Sequence, residues 1–358
     1  MHPKTTKKMK KPVVFFVLIV LLSGCANYVQ RTQKKEYFPH WNTCEALTAL
    51  QAYVEDVTDP KSEHFIPVCD RIATFDMDGT FIGELYPTYF EYNLLEYRAL
   101  EDSTYSATAP AEVKEAAQHI RDFVRNGTAL PEHFDMIHAR AAAKAYSGMT
   151  LAAFDDYVLS FAATEVNGFT GMTYGESFYQ PMLEVFDYLA DHDFTYYVVS
   201  GSDRLLCRAL VRSVGIEPNR VIGMDVQLCT TNQADTEGVD YTMGKEEEVM
   251  RSDELIIKTL KANKVFQIAH EIGKVPVLSF GNSSGDQAMH NYCMSNPKYR
   301  TAAFMLVADD DVRDHADLAE GARREALWRK AGYHIISMKN DFKTIYGEGV
   351  KKTDFIFK

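Results

Sequence analysis

Ile72-Ala73-Thr74-Phe75 is a short apolar run that passes straight into Asp76-Met77-Asp78-Gly79-Thr80. A strand that ends in two carboxylates and a glycine turn places both acids at one mouth of a sheet. A carboxylate there can act as a nucleophile toward phosphorus and form an aspartyl-phosphate. A second carboxylate two residues on can handle the proton of the leaving group. A solvated acidic turn has the same local sequence, so the reading depends on partners further along the chain.

From Pro181 onward helices and strands alternate. Pro181 suits the first turn of a helix, and Met182–Ala190 is amphipathic. Phe194–Val199 is a predicted strand running into Ser200-Gly201-Ser202, followed by a helix over Leu205–Val214 and a strand over Val221–Leu228. Residues 230–247 are polar and acidic, which predicts a loop or hairpin facing water. Val265–Ile272 is helical, Val275–Phe280 is a strand ending at Gly281-Asn282, and Ala302–Val307 and Tyr333–Met338 are two more strands. This alternation predicts an α/β fold, a doubly wound parallel sheet with helices on both faces. In such sheets ligands sit at the carboxyl ends of the strands.

Three of those ends carry polar residues that suit the same chemistry. They are Asp76 and Asp78, then Ser200 and Gly201, then Asn282 and Asp286. Lys264 opens the helix before the third of these strands. An anionic carboxylate approaches an anionic phosphate only where a cation offsets the repulsion, which points to a divalent ion. Mg²⁺ suits this ligand set, because it binds through one or two carboxylates, substrate oxygens and water.

These four elements, in this order, resemble the haloacid dehalogenase (HAD) superfamily, over residues 70–358. Asp76-x-Asp78-Gly-Thr is similar to its first motif, Val198-Val199-Ser200-Gly201 to the second, Lys264 to the third and Gly281-Asn282-x-x-x-Asp286 to the fourth. The resemblance implies that Asp76 is the nucleophile and also touches Mg²⁺. It implies that Asp78 is the acid and base, with its carbonyl on the metal. Ser200, Gly201 and Thr80 would hold phosphoryl oxygens, Lys264 would bridge Asp76 and the phosphate, and Asn282 and Asp286 would complete the metal shell. Asn282 departs from the family's usual Asp: its amide can ligate Mg²⁺ but brings no charge, which makes Asp286 the more important ligand. Lys258 and Lys261 stand close to Lys264, which is preferred for its place at the helix start.

Asp at position 78 separates reaction types within the family and implies a phosphomonoesterase or phosphotransferase. The expected function is Mg²⁺-dependent hydrolysis of a small phosphorylated metabolite. The alternatives are a phosphotransferase of the same fold and a non-catalytic phosphate-ester-binding lipoprotein.

Residues 85–176 have a different texture, with helical patterns at Tyr89–Leu100, Ala111–Arg125 and Leu151–Ala163. The insertion resembles the helical cap of the phosphoserine-phosphatase-like branch, a lid that excludes water and sets specificity. The expected division is therefore a core at 70–84 plus 177–358 and a cap at 85–176, hinged at 82–85 and 171–176. Glu84 stands where that branch often reads a substrate amine, and a helix-start acid is the alternative. Tyr86, Tyr89, Phe90, Tyr92 and Tyr97 make the cap entrance aromatic, and such residues are mostly core. Any that line a pocket could hold a cationic head by cation–π contact. Phosphoserine and another amino-alkyl phosphate such as phosphocholine are thus candidate substrates.

The N-terminus is a targeting segment. Five Lys precede the apolar run Val13–Leu22, which is too short to span a bilayer comfortably and ends in Leu22-Ser23-Gly24-Cys25. This resembles a bacterial lipobox, with Cys25 as the lipidated residue. It places the chain in the cell envelope, anchored in the membrane by lipid and facing the periplasm or exterior, with residues 26–69 as a tether and N-terminal helix. Loss of residues 1–24 takes five Lys and no acid, so the net charge moves from −12 to −17. That balance argues against nucleic acid as a partner, which needs Lys and Arg to neutralise phosphates. Of the six Cys, five remain beyond Cys25; Cys44 and Cys69 flank one short region and could pair. No Cys-x-x-Cys spacing exists for zinc.

Overall fold

The computed structural model describes residues 35–357. The signal segment, Cys25 and residues 26–34 of the expected tether lie outside the described residues.

Helix α1 (Glu45–Thr58) starts at Cys44, whose Sγ accepts from the Leu47 amide at 3.4 Å. Leu50, Tyr53, Val54 and Val57 lie on its buried face. The Tyr53 hydroxyl donates to the Val277 carbonyl at 2.8 Å, which ties the helix to the main sheet. Cys44 and Cys69 are both free thiols, as are the other three described cysteines, so the suggested pairing is not present.

Strand β1 (Ile72–Phe75) follows, buried at every position. The chain then makes four helices: α2 (Phe90–Leu100), α3 (Ala111–Asn126), α4 (Phe134–Ala145) and α5 (Leu151–Ala162). After the two-residue strand β2 (Phe169–Thr170) come α6 (Gln180–Asp191), β3 (Thr195–Asp203), α7 (Arg204–Val211), β4 (Val221–Thr230) and β5 (Val249–Ile257). The rest runs α8 (Ala262–Glu271), β6 (Leu278–Gly281), α9 (Gln287–Met294), β7 (Ala302–Val307), α10 (Leu318–Lys330), β8 (His334–Ser337), α11 (Met338–Asp341) and β9 (Lys351–Lys352).

Seven strands form one sheet in the order β5-β4-β3-β1-β6-β7-β8. All neighbours are parallel except β4 and β5, which form an antiparallel hairpin. Residues 231–248 connect its arms, as the acidic content suggested, but the second arm was not foreseen. Its burial is irregular because β5 is an edge strand carrying Arg251, Asp253 and Glu254. Helix α4 was also unforeseen; its five alanines give only a weak apolar rhythm.

The register fixes where the functional ends fall. Phe75 pairs with Val198 on one side and Phe280 on the other. The Asp76 amide donates to the Phe280 carbonyl at 2.9 Å, so the chain leaves β1 between the ends of β3 and β6. Beneath that exit, Phe75 and Phe280 stack at 4.3 Å and Phe280 and Phe304 at 5.0 Å across adjacent strands. Such aromatic pairs add about 0.5–1.5 kcal/mol each beyond area burial and stiffen the floor of the cleft.

The helical insertion departs and returns side by side. Gly83 N–H donates to Ser177 O at 2.8 Å and Tyr179 N–H to Phe81 O at 2.9 Å. At its far side the insertion is tied to the β4–β5 hairpin: Arg251 N–H donates to Met149 O at 3.0 Å and Gly148 N–H to Arg251 O at 2.9 Å. Helix α4 packs on β5 and α5 on α7.

Candidate active site

Asp76 is buried at the end of β1 and is met by one cation. Lys264, in the first turn of α8, places Nζ 2.5 Å from Asp76 Oδ1 and 2.7 Å from Asp286 Oδ1. Lys258 turns elsewhere, 2.9 Å from Glu91 Oε1 on α2, and Lys261 is the residue before α8. Of the three candidate lysines, the structure brings Lys264 to Asp76.

The turn after β6 is organised by Asp286. Its Oδ2 accepts from the amides of Asn282 (3.1 Å) and Ser283 (2.9 Å) and from Ser283 Oγ (3.2 Å). Asn282 is buried and its Nδ2 donates to Glu84 Oε1 at 3.0 Å. Asp78 accepts at Oδ2 from Ser202 Oγ at 2.7 Å. Thr80 is fully buried and donates from Oγ1 to Asp76 Oδ2 at 3.2 Å.

These groups surround a shared cleft. Asp76, Asp78, Glu84, Gly201, Lys264, Asn282 and Asp286 all line it. Ser200 and Thr80 do not. Ser200 is wholly buried, and its Oγ accepts from the Ser202 amide at 3.0 Å. The hydroxyl that faces the cleft is Ser202, because β3 runs on to Asp203 instead of ending at Val199. The pairing of β3 with β4 slips between Val199 and Asp203, so regular alternation does not carry through this segment.

The insertion contributes Tyr89, Glu91, Tyr92 and Asp135. Tyr89 and Tyr92 meet edge to face at 5.2 Å, and the Tyr92 hydroxyl donates to Asp135 Oδ1 at 3.2 Å. Tyr86 and Phe90 are core, and Tyr97 lies on another groove. Asp135 carried no sequence signal, since α4 itself was not foreseen.

Charge in the cleft is unbalanced. Burial, with Asp286 beside it, pushes the Asp76 carboxyl up despite Lys264. Burial likewise lifts Asp78 to about 6, against the Ser202 hydroxyl. Glu84 rises to about 8 through burial and then the charges of Asp78 and Asp76. Burial opposes the Lys264 charge, yet Asp286 and Asp76 hold it above the usual lysine range. Burial also opposes ionisation of Asp286, which Lys264 nevertheless keeps below the usual carboxylate range. One ammonium thus serves two carboxylates: Asp286 keeps its charge, and Asp76 is the one held back from ionising.

Among the described residues no three His, Cys, Asp or Glu side chains are grouped to hold a metal by themselves. Mg²⁺ does not require that, since it keeps several waters and uses one or two carboxylates with substrate oxygens. The oxygen donors of Asp76, the Asp78 backbone and Asn282, in a cleft with surplus negative charge, fit such an ion.

The mostly parallel seven-strand sheet and the helical insertion after β1 define an α/β fold, with the four polar segments around one cleft. A solved structure of a conserved protein of unknown function from Anaerococcus prevotii shares this fold, with TM-score 0.50 and 14% identity over 87% of this chain and 98% of that one. A phosphoserine phosphohydrolase-like protein from Francisella tularensis is also similar, with TM-score 0.40 and 14% identity over 74% of this chain and 94% of that one. So is a HAD family hydrolase from Salmonella enterica serovar Typhi, with TM-score 0.39 and 14% identity over 76% and 68%. No curated protein matches the sequence. Residues 9–26 match the prokaryotic membrane lipoprotein lipid attachment site, which supports a lipid-anchored protein of the cell envelope.

Proposed function

We propose that the protein is a Mg²⁺-dependent phosphomonoesterase that faces the periplasm or exterior from its lipid anchor. The observation that carries this reading is the buried contact of Lys264 with both Asp76 and Asp286 at the mouth of the sheet, with Asp78 beside it in the same cleft. Asp76 attacks phosphorus, and the bond from phosphorus to the substrate oxygen breaks. Asp78 gives its proton to that oxygen, a role suited to a carboxyl lifted to about 6. Asp78 then takes a proton from water, which attacks phosphorus and releases phosphate from Asp76. The Ser202 hydroxyl holds Asp78, and Gly201 lies against the phosphoryl position. Mg²⁺, held by Asp76, the Asp78 carbonyl and Asn282, would offset the charge of the phosphate. Helices α2–α5, within residues 85–176, act as the cap.

The wall formed by Tyr89, Tyr92 and Asp135 favours a small ester with a cationic head. It joins aromatic rings to a carboxylate, and Lys258, which lines the cleft alongside Lys264, is already paired with Glu91. An amino-alkyl phosphate such as phosphocholine or phosphoserine meets that description.

Phosphate release from a panel of small monoesters, with the full chain in detergent, tests the proposal. Turnover should stop with Asp76→Asn and with chelator. Turnover unaffected by either change would sink it. Transfer to added alcohol in preference to water would make the enzyme a phosphotransferase. Tight ester binding with no turnover under saturating Mg²⁺ would make it a binding protein, the reading that Asn282 motivates.

A further inference from the structure

We propose that Glu84, once a cation in the site displaces its proton, supplies the negative charge that Asn282 withholds. The inference rests on the Mg²⁺ reading above and concerns which residues of this chain provide the charge.

Asp286 is poorly placed to make up the deficit alone. A carboxylate oxygen has two lone-pair sites, and Oδ2 of Asp286 already accepts from two backbone amides and the Ser283 hydroxyl. Its Oδ1 accepts from Lys264. Asp286 thus holds the turn and shares the lysine with Asp76, whose Oδ2 also accepts from the Thr80 hydroxyl, so neither aspartate brings an uncommitted charge to a cation.

Glu84 stands at the right place, and among the described residues no salt bridge to it is formed. It lines the same cleft as Asp76, and its carboxylate accepts from Asn282 Nδ2. The charge of Arg324 reaches it, but acts less than burial and the two aspartates do, and Arg324 is itself paired with Glu320. Both Glu84 and Asn282 lie against Gly79, in the first motif itself. A Cβ on Gly79 would stand 1.9 Å from Asn282 Nδ2 and 2.4 Å from Glu84 Cδ, and φ there is +73°. The motif's glycine is therefore needed for two reasons: the left-handed turn and the room for this pair.

The consequence is a relay of charge through an amide. With Nδ2 committed to Glu84, the atom of Asn282 left for a cation is Oδ1. A hydrogen bond from an amide N–H to a carboxylate fixes the side chain and makes its oxygen a better donor. Asn282 and Glu84 together then do what one carboxylate would do. This differs from the amine-reading role expected for Glu84: its contacts are with the first and fourth motifs, whereas Tyr92 and Asp135 supply the aromatic and acidic wall of the insertion.

Mn²⁺ binding to the full chain in detergent, followed by the electron paramagnetic resonance of free Mn²⁺, tests the proposal without reference to turnover. Glu84→Gln should weaken binding about 10- to 100-fold, the usual effect of losing a group that orients a ligand. Adding Asn282→Asp to that variant should restore affinity to near the wild-type value. The circular dichroism of each variant checks the fold. Unchanged Mn²⁺ affinity in Glu84→Gln, or no rescue by Asn282→Asp, would overturn the inference and leave the phosphatase reading intact. Absence of Mn²⁺ binding by the wild-type chain would overturn both.

Discussion

Lys264 Nζ contacts Asp76 Oδ1 at 2.5 Å, whereas Lys258, six residues earlier, pairs with Glu91 of the helical insertion at 2.9 Å. The two lysines are both buried and serve different purposes. Lys264→Met should lower kcat by about 10²–10³, as loss of a group aimed at developing charge does. Lys258→Met should change kcat far less but destabilise the chain by roughly 3–5 kcal/mol, because Glu91 would be left buried without its partner. Phosphate release and urea unfolding of the two variants check the ranking. A larger loss of kcat in Lys258→Met would reverse the assignment.

Tyr92 and Asp135 give a prediction about specificity. Asp135→Asn removes the charge and can keep the hydrogen bond from the Tyr92 hydroxyl at 3.2 Å. KM for phosphocholine should rise about 5- to 10-fold, equivalent to roughly 1–1.4 kcal/mol of lost cation binding. KM for p-nitrophenyl phosphate, which has no cationic head, should stay within twofold. A parallel rise for both esters would mean that Asp135 shapes the fold and does not read the substrate.

Placement of the polar segments was legible because it follows from topology. Once β1, β3 and β6 are parallel neighbours, Asp76, the 200–203 segment and Asn282 must share one end of the sheet. What failed to show was side-chain direction within a segment. Ser200 is sealed under the Ser202 amide because β3 runs on past the glycine to Asp203, and strand length depends on pairing with β4 that no local pattern reports. Asp135 was hidden for a related reason. Helix α4 buries five alanines, and small residues at every turn give no stripe to recognise. The acidic linker concealed β5, where Arg251 is fully buried although its type predicts exposure.

That arginine explains itself through Asp203. Nη1 and Nη2 of Arg251 lie 3.1 and 2.7 Å from the two oxygens of Asp203, and the guanidinium sits over Phe154 at 4.1 Å. The pair joins the hairpin edge, the end of β3 and helix α5 of the insertion. Arg251→Met should cost roughly 3–5 kcal/mol of stability, since Asp203 keeps its burial and loses its counter-charge. The double variant Arg251→Met/Asp203→Asn, which keeps an acceptor for the Leu205 and Leu206 amides at the start of α7, should recover much of that loss. Urea midpoints of the single and double variants decide the matter; equal stability of Arg251→Met and wild type would show that the pair is energetically neutral.

Asp314 gives a prediction in the pH dependence of stability. It is fully buried, with Oδ2 accepting from the Tyr346 hydroxyl at 2.8 Å and Oδ1 from the His315 amide at 2.7 Å. Burial pushes its carboxyl up to about 6. In the unfolded chain an Asp titrates near ~3.9. Between these values the native state holds a proton that the unfolded state has released, so stability falls as pH rises through the window. Its contribution is complete below about pH 4 and lost above about pH 6, a difference of roughly 3 kcal/mol from two pKa units. Asp314→Asn cannot ionise and should erase that slope. Unfolding free energies of the two chains, measured from pH 4 to pH 7, should therefore diverge in favour of the Asn variant as pH rises. Other titrating groups are common to both chains and cancel in the difference. A constant difference across the range would show that Asp314 ionises as readily in the native state as in the unfolded one.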